Sequence, residues 1–174
     1  MTETSQPQPG PPARTPFVIS RTFPVPRDRL WNAWTDPEQL KQWFGPSGCA
    51  MEIARMNFRP GGLFHYCLKT PDGHRMWGRF VYREILAPEW ILLVNSFSDE
   101  EGGITRHPLS PSWPLEMLSS FALTEQAGAT AITVQWFPLN ATEAEQKTFD
   151  AGHASMTQGW TGTFDQLERY LARA

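Results

Sequence analysis

A stripe of large residues near the C-terminus constrains the fold of this chain more than any other feature of its sequence. Seven positions share one helical face, with spacings of four, three, four, four, three and four residues: Phe149, His153, Met156, Trp160, Phe164, Leu167 and Leu171. Side chains three and four residues apart lie on the same side of an α-helix. Thr142 and Glu145 have the spacing of a capping box. We therefore predict one helix within residues 140–174, about 45 Å long at ~1.5 Å per residue.

The residues before this helix are patterned as strands and turns. Residues 17–23 alternate like a β-strand, and two short helices follow, one over residues 26–34 and one that begins at Asp36 and ends before Gly45. Further strands are predicted over residues 51–57, 63–69, 75–86, 90–98, 115–124 and 129–137. This order of elements predicts an α+β fold, in which an antiparallel sheet packs one face against the C-terminal helix.

Length and charge limit the classes of protein to which the chain can belong. Its 174 residues suit one domain, and we expect residues 17–174 to form it, after a disordered tail at residues 1–16 that contains five prolines. A net charge of −3 does not favour nucleic acid as a partner. No apolar run is long enough to span a membrane. Two cysteines without a secretory signal are typical of free thiols in the cytoplasm.

A segment of sixteen residues, from Asp99 to Pro114, separates two of the predicted strands. It contains three prolines and two glycines, and Trp113 lies near its end. Loops of this length inside a compact domain are usually functional or mobile. We predict that this loop acts as a lid over a binding site.

Few side-chain patterns that carry catalytic or metal chemistry are evident. Ser47 lies outside a G-x-S-x-G nucleophile elbow, and neither a phosphate-binding glycine motif nor H-E-x-x-H occurs. His65 and Cys67 share one face of a strand, but no third metal ligand is evident. We therefore expect neither a metal nor a cofactor. His153 is the one titratable group of the apolar stripe, and it is either a hydrogen-bonded core residue or a residue that orients a ligand.

Small residues form a second stripe on the C-terminal helix. Gly152, Ser155, Gly159 and Gly162 lie about a third of a turn from the apolar stripe. Each helical glycine costs up to about 1 kcal/mol relative to alanine, so these positions need a reason. Either another backbone approaches closely, or bulk is withheld to leave a void beside the helix. The sequence leaves both interpretations open.

Four segments, in order, resemble a known family: WNAWTDPEQLKQWFGP, FRPGGLFHYCLKTPDG, GRFVYREILAPEWILLVNSFSDEEG and GHASMTQGWTGTFDQLERYL. Together they are similar to the START-like (SRPBCC) superfamily, and within it to bacterial homologues of the C-terminal domain of the heat-shock-protein-90 ATPase activator. The resemblance covers residues 17–171. It implies a helix-grip fold, in which a curved antiparallel sheet wraps around the C-terminal helix.

Members of this superfamily typically enclose a cavity for a hydrophobic ligand between the sheet and the helix. Trp43 and Phe44 match paired aromatic residues near the mouth of that cavity, and His153 matches a motif of the helix. By contrast, Trp31 and Trp34 are expected in the core against the sheet. The candidate ligand-binding residues are Trp43, Phe44, Phe64, Tyr66, Trp77, Phe97, Trp113, Met117, Phe121, Trp136, His153, Met156, Trp160 and Phe164.

One departure from the family concerns the strand at residues 63–69. Leu63, His65 and Cys67 occupy positions that are often polar in relatives. We therefore expect this face of the sheet to be covered, and a second subunit is one candidate for the cover, which would make the protein a homodimer.

Three functions are compatible with the resemblance. In the first, the cavity binds a small hydrophobic molecule, such as a lipid, polyketide or aromatic metabolite, without chemistry. In the second, a cyclase- or hydrolase-like enzyme uses the same cavity, with His153 or Tyr66 as the acid–base group. In the third, the protein regulates a chaperone ATPase. The first is favoured because neither a nucleophile nor a pair of carboxylates is evident in the expected interior, and a shared fold does not carry a function by itself.

Overall fold

The structure, a computed structural model, describes residues 14–173, so most of the expected tail at residues 1–16 lies outside it. The elements in chain order are β1 (Phe17–Phe23), α1 (Arg27–Thr35), α2 (Pro37–Leu40), β2 (Ala50–Met56), β3 (Leu63–Lys69), β4 (Arg75–Leu86), β5 (Trp90–Ser98), β6 (Ile104–Thr105), β7 (Glu116–Gln126), β8 (Ala129–Leu139), α3 (Glu143–Ala151) and α4 (His153–Leu171). The predicted α+β class is confirmed, with the C-terminal helix and a curved antiparallel sheet in the helix-grip arrangement.

The sheet is antiparallel throughout, with the strand order β1-β8-β7-β5-β4-β3-β2, and β6 pairs with β5 outside this path. Tight turns connect neighbouring strands where the sequence supplies residues that adopt positive φ. Gly73 (φ 88°) turns β3 into β4, and Ala127 with Gly128 (φ 52° and 77°) turns β7 into β8. Because alternate side chains of a strand point to opposite faces, one face of each long strand forms the interior.

Helices α1 and α4 meet on the inner face of the sheet. The Trp34 ring lies 4.8 Å from the Phe121 ring of β7 and 6.1 Å from the Trp160 ring of α4. Trp31 and Trp34 are both buried, as predicted. The Trp34 indole therefore contacts both the sheet and α4 and links α1 to them.

The prediction of one continuous C-terminal helix is wrong. The chain forms α3 and α4, which are separated by Gly152 alone (φ −89°, ψ 0°). The Gly152 N–H donates to the carbonyl of Phe149, three residues back, so the α-helical bonding pattern tightens at this residue. The capping box at the start of α3 is confirmed, because Thr142 and Glu145 exchange both of its hydrogen bonds.

The outer face of the sheet at β3 is covered by the chain itself. The His65 ring stacks on Trp77 at 4.9 Å, and its Nε2 lies 3.1 Å from the carbonyl oxygen of Asp99. His65 and Cys67 are consequently buried, whereas Leu63 is partly exposed. The predicted cover is present at His65, where the connection between β5 and β6 supplies it without a second subunit, but it does not extend to Leu63.

Candidate functional site

A cavity of about 700 Å³ lies between the inner face of the sheet and the helices α3 and α4. Strand alternation creates most of its sheet wall, which includes six alternate residues of β5 and β7: Leu93, Asn95, Phe97, Met117, Ser119 and Phe121. The helices supply the opposite wall from Thr148 to Thr163. Protein interiors rarely contain voids much larger than a water molecule, so a space of this size is not ordinary packing.

Most of the candidate residues line this cavity: Phe44, Tyr66, Trp77, Phe97, Trp113, Met117, Phe121, Trp136, Met156 and Trp160. They come from the segment after α2, from five strands of the sheet, from the loop before β7 and from α4, so the fold brings together residues that are far apart in sequence. Trp77 also stacks on His65 of the outer face. Whether these side chains contact a ligand stays a prediction.

Four candidates do not line the cavity: Trp43, Phe64, His153 and Phe164. Trp43 packs at 4.8 Å from the Trp34 ring and donates its Nε1–H to the Ala33 carbonyl. Phe64 and Phe164 are fully buried in the core. His153 lies between aromatic rings, edge-on to Phe17 at 5.8 Å and to Phe149 at 5.1 Å. The apolar stripe of the C-terminal helices therefore faces the core more than the cavity.

Most of the stripe of small residues faces the cavity instead. Of its two interpretations, a void beside the helix holds at one glycine and close approach of another backbone holds at another. Gly152, Ser155 and Gly159 line the cavity. A Cβ built at Gly159 would have no neighbouring atom within 4 Å, so the absent side chain leaves open space. A Cβ at Gly162 would lie 2.7 Å from Ser47 Oγ and 3.2 Å from its backbone nitrogen, so there the glycine permits a close approach.

The long loop before β7 covers one side of the cavity. His107, Ser110, Trp113 and Pro114 of this loop line the wall. Three contacts attach the loop to α3: an ion pair between Arg106 and Glu145, a hydrogen bond of 2.9 Å between Thr148 and Ser112, and the Trp113 ring at 5.9 Å from Phe149. The loop that the sequence predicts as a lid thus lies over the cavity, and its opening stays a prediction.

The mouth of the cavity is marked by lining residues that are themselves exposed to solvent. They are Pro46 after α2, Ala151 at the end of α3 and Ser155 in the first turn of α4. The opening of the cavity therefore lies between the helix junction and the segment after α2.

The wall carries no charged side chain within the described residues 14–173, since none of the lining residues is Asp, Glu, Lys or Arg. Two titratable side chains, Tyr66 and His107, line the wall. Burial raises the pKa of Tyr66 above its usual range, and burial lowers the pKa of His107. Both shifts favour the neutral form near pH 7. The Tyr66 ring occupies the space over Gly78, where a Cβ would lie 2.5 Å from the phenol oxygen.

Several wall residues are not evident from sequence, and the most informative are polar. Asn95 and Ser119 lie on the inner faces of β5 and β7, and the Ser119 hydroxyl donates to Asn95 Oδ1. Strand alternation places Asn95 on the same face as Leu93 and Phe97, so an inner-face search for polar residues would have found it. His107 of the lid was missed because loop residues have no periodicity.

Within residues 14–173 no group of three or more His, Cys, Asp or Glu side chains is arranged to hold a metal ion. In the same residues, no helix is both long and apolar enough to cross a membrane.

An antiparallel sheet around a C-terminal helix, with an aromatic cavity between them, defines the helix-grip fold of the START-like superfamily. The family model described as Activator of Hsp90 ATPase homolog 1-like protein matches residues 24–172, so the chain belongs to that family. A search of curated proteins gave no significant match.

Solved structures agree with this assignment at the level of the fold. A Nitrosomonas europaea protein has a TM-score of 0.72 at 23% identity, with 92% of this chain and 96% of that chain covered. A Mycobacterium smegmatis protein has a TM-score of 0.73 at 24% identity, with 92% of this chain and 93% of that chain covered. The AHSA1 protein of Silicibacter pomeroyi has a TM-score of 0.70 at 19% identity, with 91% of this chain and 98% of that chain covered. Identities this low show a common fold and leave the ligand open.

Proposed function

We propose that this protein binds a small hydrophobic molecule, such as a lipid, polyketide or aromatic metabolite, in the cavity between the sheet and the C-terminal helices. The observation that carries the proposal is the cavity itself, with about 700 Å³ of space and a wall of mainly aromatic and aliphatic side chains. Sites for small molecules are typically concave and apolar with a few placed polar groups. Burial of apolar ligand surface contributes roughly 25 cal/mol per Å².

Binding without catalysis is favoured over an enzyme of the cyclase or hydrolase kind, because neither acid–base candidate of the sequence is suited to act as a base in the cavity. His153 lies outside the cavity wall. Tyr66 lies on the wall, but burial raises its pKa, so the phenolate base is disfavoured near neutral pH. Regulation of a chaperone ATPase is suggested by the family description alone, and none of the contacts described above favours it.

A variant that fills the cavity tests the proposal. Gly159→Leu places a side chain into open space on the wall, whereas Gln158→Leu adds the same side chain at the next residue, which is exposed and does not line the cavity. We expect the wild type and Gln158→Leu to bind the neutral dye Nile red with similar affinity. Gly159→Leu should weaken binding at least tenfold while the protein remains folded.

Native mass spectrometry of the purified protein provides an independent readout. A small molecule that is bound to the wild type and lost in Gly159→Leu would support the proposal and identify a ligand. The proposal would be wrong if the wild type carries no small molecule and takes up no Nile red, or if both leucine variants bind the dye as the wild type does.

A further inference from the structure

A single amide side chain interrupts the apolar part of the sheet wall. Asn95 of β5 is paired with Phe80 of β4 on one side and with Met117 of β7 on the other, and all three line the cavity. An asparagine amide has two N–H donors and an acceptor oxygen, so its neighbours decide which end meets the cavity.

Ser119 fixes the orientation of this amide. Its hydroxyl donates to Asn95 Oδ1, and Ser119 is only 1% exposed. The hydroxyl has one hydrogen, so this bond uses its donor. The Asn95 Nδ2 group makes no hydrogen bond to any residue of the described range 14–173, and it is not one of the buried polar atoms of that range that lack a partner. It is therefore a donor that is accessible from the cavity.

Water can reach this donor while the cavity is empty. A purely apolar ligand that displaced the water would leave the N–H group without an acceptor, at a cost to the free energy of binding. A leucine of similar size would avoid that cost on a wall made of Leu93, Phe97 and Met117. The amide is thus explained if an acceptor occupies the space opposite Nδ2 when the cavity is filled.

We infer that the ligand carries an uncharged hydrogen-bond acceptor, such as a ketone or quinone carbonyl, and that Asn95 donates to it while Ser119 positions the amide. This inference rests on the proposed binding function and narrows the class of ligand. A carboxylate is a poorer fit, because no lysine or arginine among residues 14–173 lines the cavity, and a buried anion without a partner costs far more than a neutral acceptor.

Three probes of similar size separate these classes: 2-acetylnaphthalene, which has a carbonyl, 2-ethylnaphthalene, which has none, and 2-naphthylacetate, which is an anion. Their dissociation constants are measured by calorimetry with wild type, Asn95→Leu and Ser119→Ala. One neutral hydrogen bond contributes about 0.5–1.5 kcal/mol, which is about a 2- to 13-fold change in affinity. The preference for the ketone over the hydrocarbon should be larger in wild type than in Asn95→Leu by that factor.

Ser120→Ala is the matched control, since Ser120 is buried on the next position of β7 and does not line the cavity. Ser119→Ala should lower the ketone preference, whereas Ser120→Ala should leave it unchanged. Ser119→Ala also carries the test if thermal melts show that Asn95→Leu does not fold.

Two outcomes would overturn the inference alone: an equal ketone preference in wild type, Asn95→Leu and Ser119→Ala, or tighter binding of the naphthylacetate than of the ketone. Binding of the hydrocarbon to wild type tests the proposed function separately. If none of the three probes and no Nile red binds, the proposed function fails and this inference fails with it.

Discussion

The indole of Trp113 packs against Gly152, the residue that separates α3 from α4. A Cβ at position 152 would lie 3.1 Å from Trp113 Cζ3, which is closer than ordinary van der Waals contact. The lid is therefore seated on the helix junction, and the same junction borders the mouth of the cavity at Ala151 and Ser155. Substitutions at Gly152 should therefore disturb the packing of the lid more than that of the rest of the fold.

The first prediction compares two glycines of the same stripe. In Gly152→Ala the new methyl would require Trp113 to give by a few tenths of an ångström, and it would also lie 3.3 Å from the Thr148 carbonyl oxygen. Gly159→Ala meets no atom within 4 Å, so it should raise the free energy of unfolding by up to about 1 kcal/mol through helix propensity. Denaturant unfolding should show a lower free energy of unfolding for Gly152→Ala than for wild type. Hydrogen exchange over residues 106–113 should be faster in Gly152→Ala than in wild type.

An increase in stability in Gly152→Ala comparable to that in Gly159→Ala, with unchanged exchange in the lid, would show that the Trp113 contact is loose.

The second prediction concerns the ion pair between the lid and α3. The Arg106 guanidinium, and then the Thr142 N–H, hold the pKa of Glu145 below its ordinary value of 4.5. A carboxyl with a lower pKa in the folded state stabilises the protein above the unfolded pKa, and this contribution is lost as the pH falls through the folded pKa. Glu145→Gln keeps an acceptor for the capping box but removes the charge.

We expect Glu145→Gln to lower the free energy of unfolding at pH 7 by about 0.5–1 kcal/mol, since water screens the half-exposed Arg106. The difference from wild type should shrink when unfolding is measured at pH 3. Glu143→Gln is the control: it removes an acidic residue from the same helical turn, whose exposed ion pair is with Lys147 of the same helix and leaves the lid contact in place, so its effect on stability should be smaller. A difference that stays constant from pH 7 to pH 3 would contradict the assignment.

The third prediction distinguishes the cavity wall from the solid core on one helix. Phe164 is fully buried away from the cavity, so Phe164→Ala should cost about 3–5 kcal/mol and leave Nile red affinity nearly unchanged. Trp160 contacts Trp34 and Trp136 but also faces the cavity. Trp160→Ala should therefore cost less than Phe164→Ala and change dye binding more. The reverse order in both measurements would mean that the space beside Trp160 is filled in solution.

Much of the sheet could be predicted from the sequence because its signals are local. The bounds of β3 and β4 agree with the prediction, since residues 71–73 between them form a turn with a defined mechanism and the two strands contain few breakers. The break at Gly152 could not be found in the same way. It uses one residue with near-helical dihedral angles, so the apolar period continues across it and the pattern looks like one helix.

The cavity was predicted at the right interface, but its walls were predicted less well. A helical stripe shows which residues share a face, whereas the position of the neighbouring elements decides whether that face meets core or open space. Trp160 contacts core residues and also lines the cavity, Phe164 is buried in the core, and Gly159 lines the cavity. Asn95 was not predicted because the helical periodicity marks polar residues of the helix and not those on the inner faces of the strands.

The last prediction concerns His153, which the resemblance places in a ligand-binding motif and the structure places between Phe17 and Phe149. Its Nε2 is buried without a hydrogen-bond partner among residues 14–173. Removing an unsatisfied buried polar atom while keeping an aromatic ring is neutral or stabilising. His153→Phe should therefore retain or raise the melting temperature and leave Nile red affinity unchanged, whereas His153→Ala should lose stability by losing both ring contacts. Loss of dye binding in a folded His153→Phe variant would instead support the ligand-orienting role.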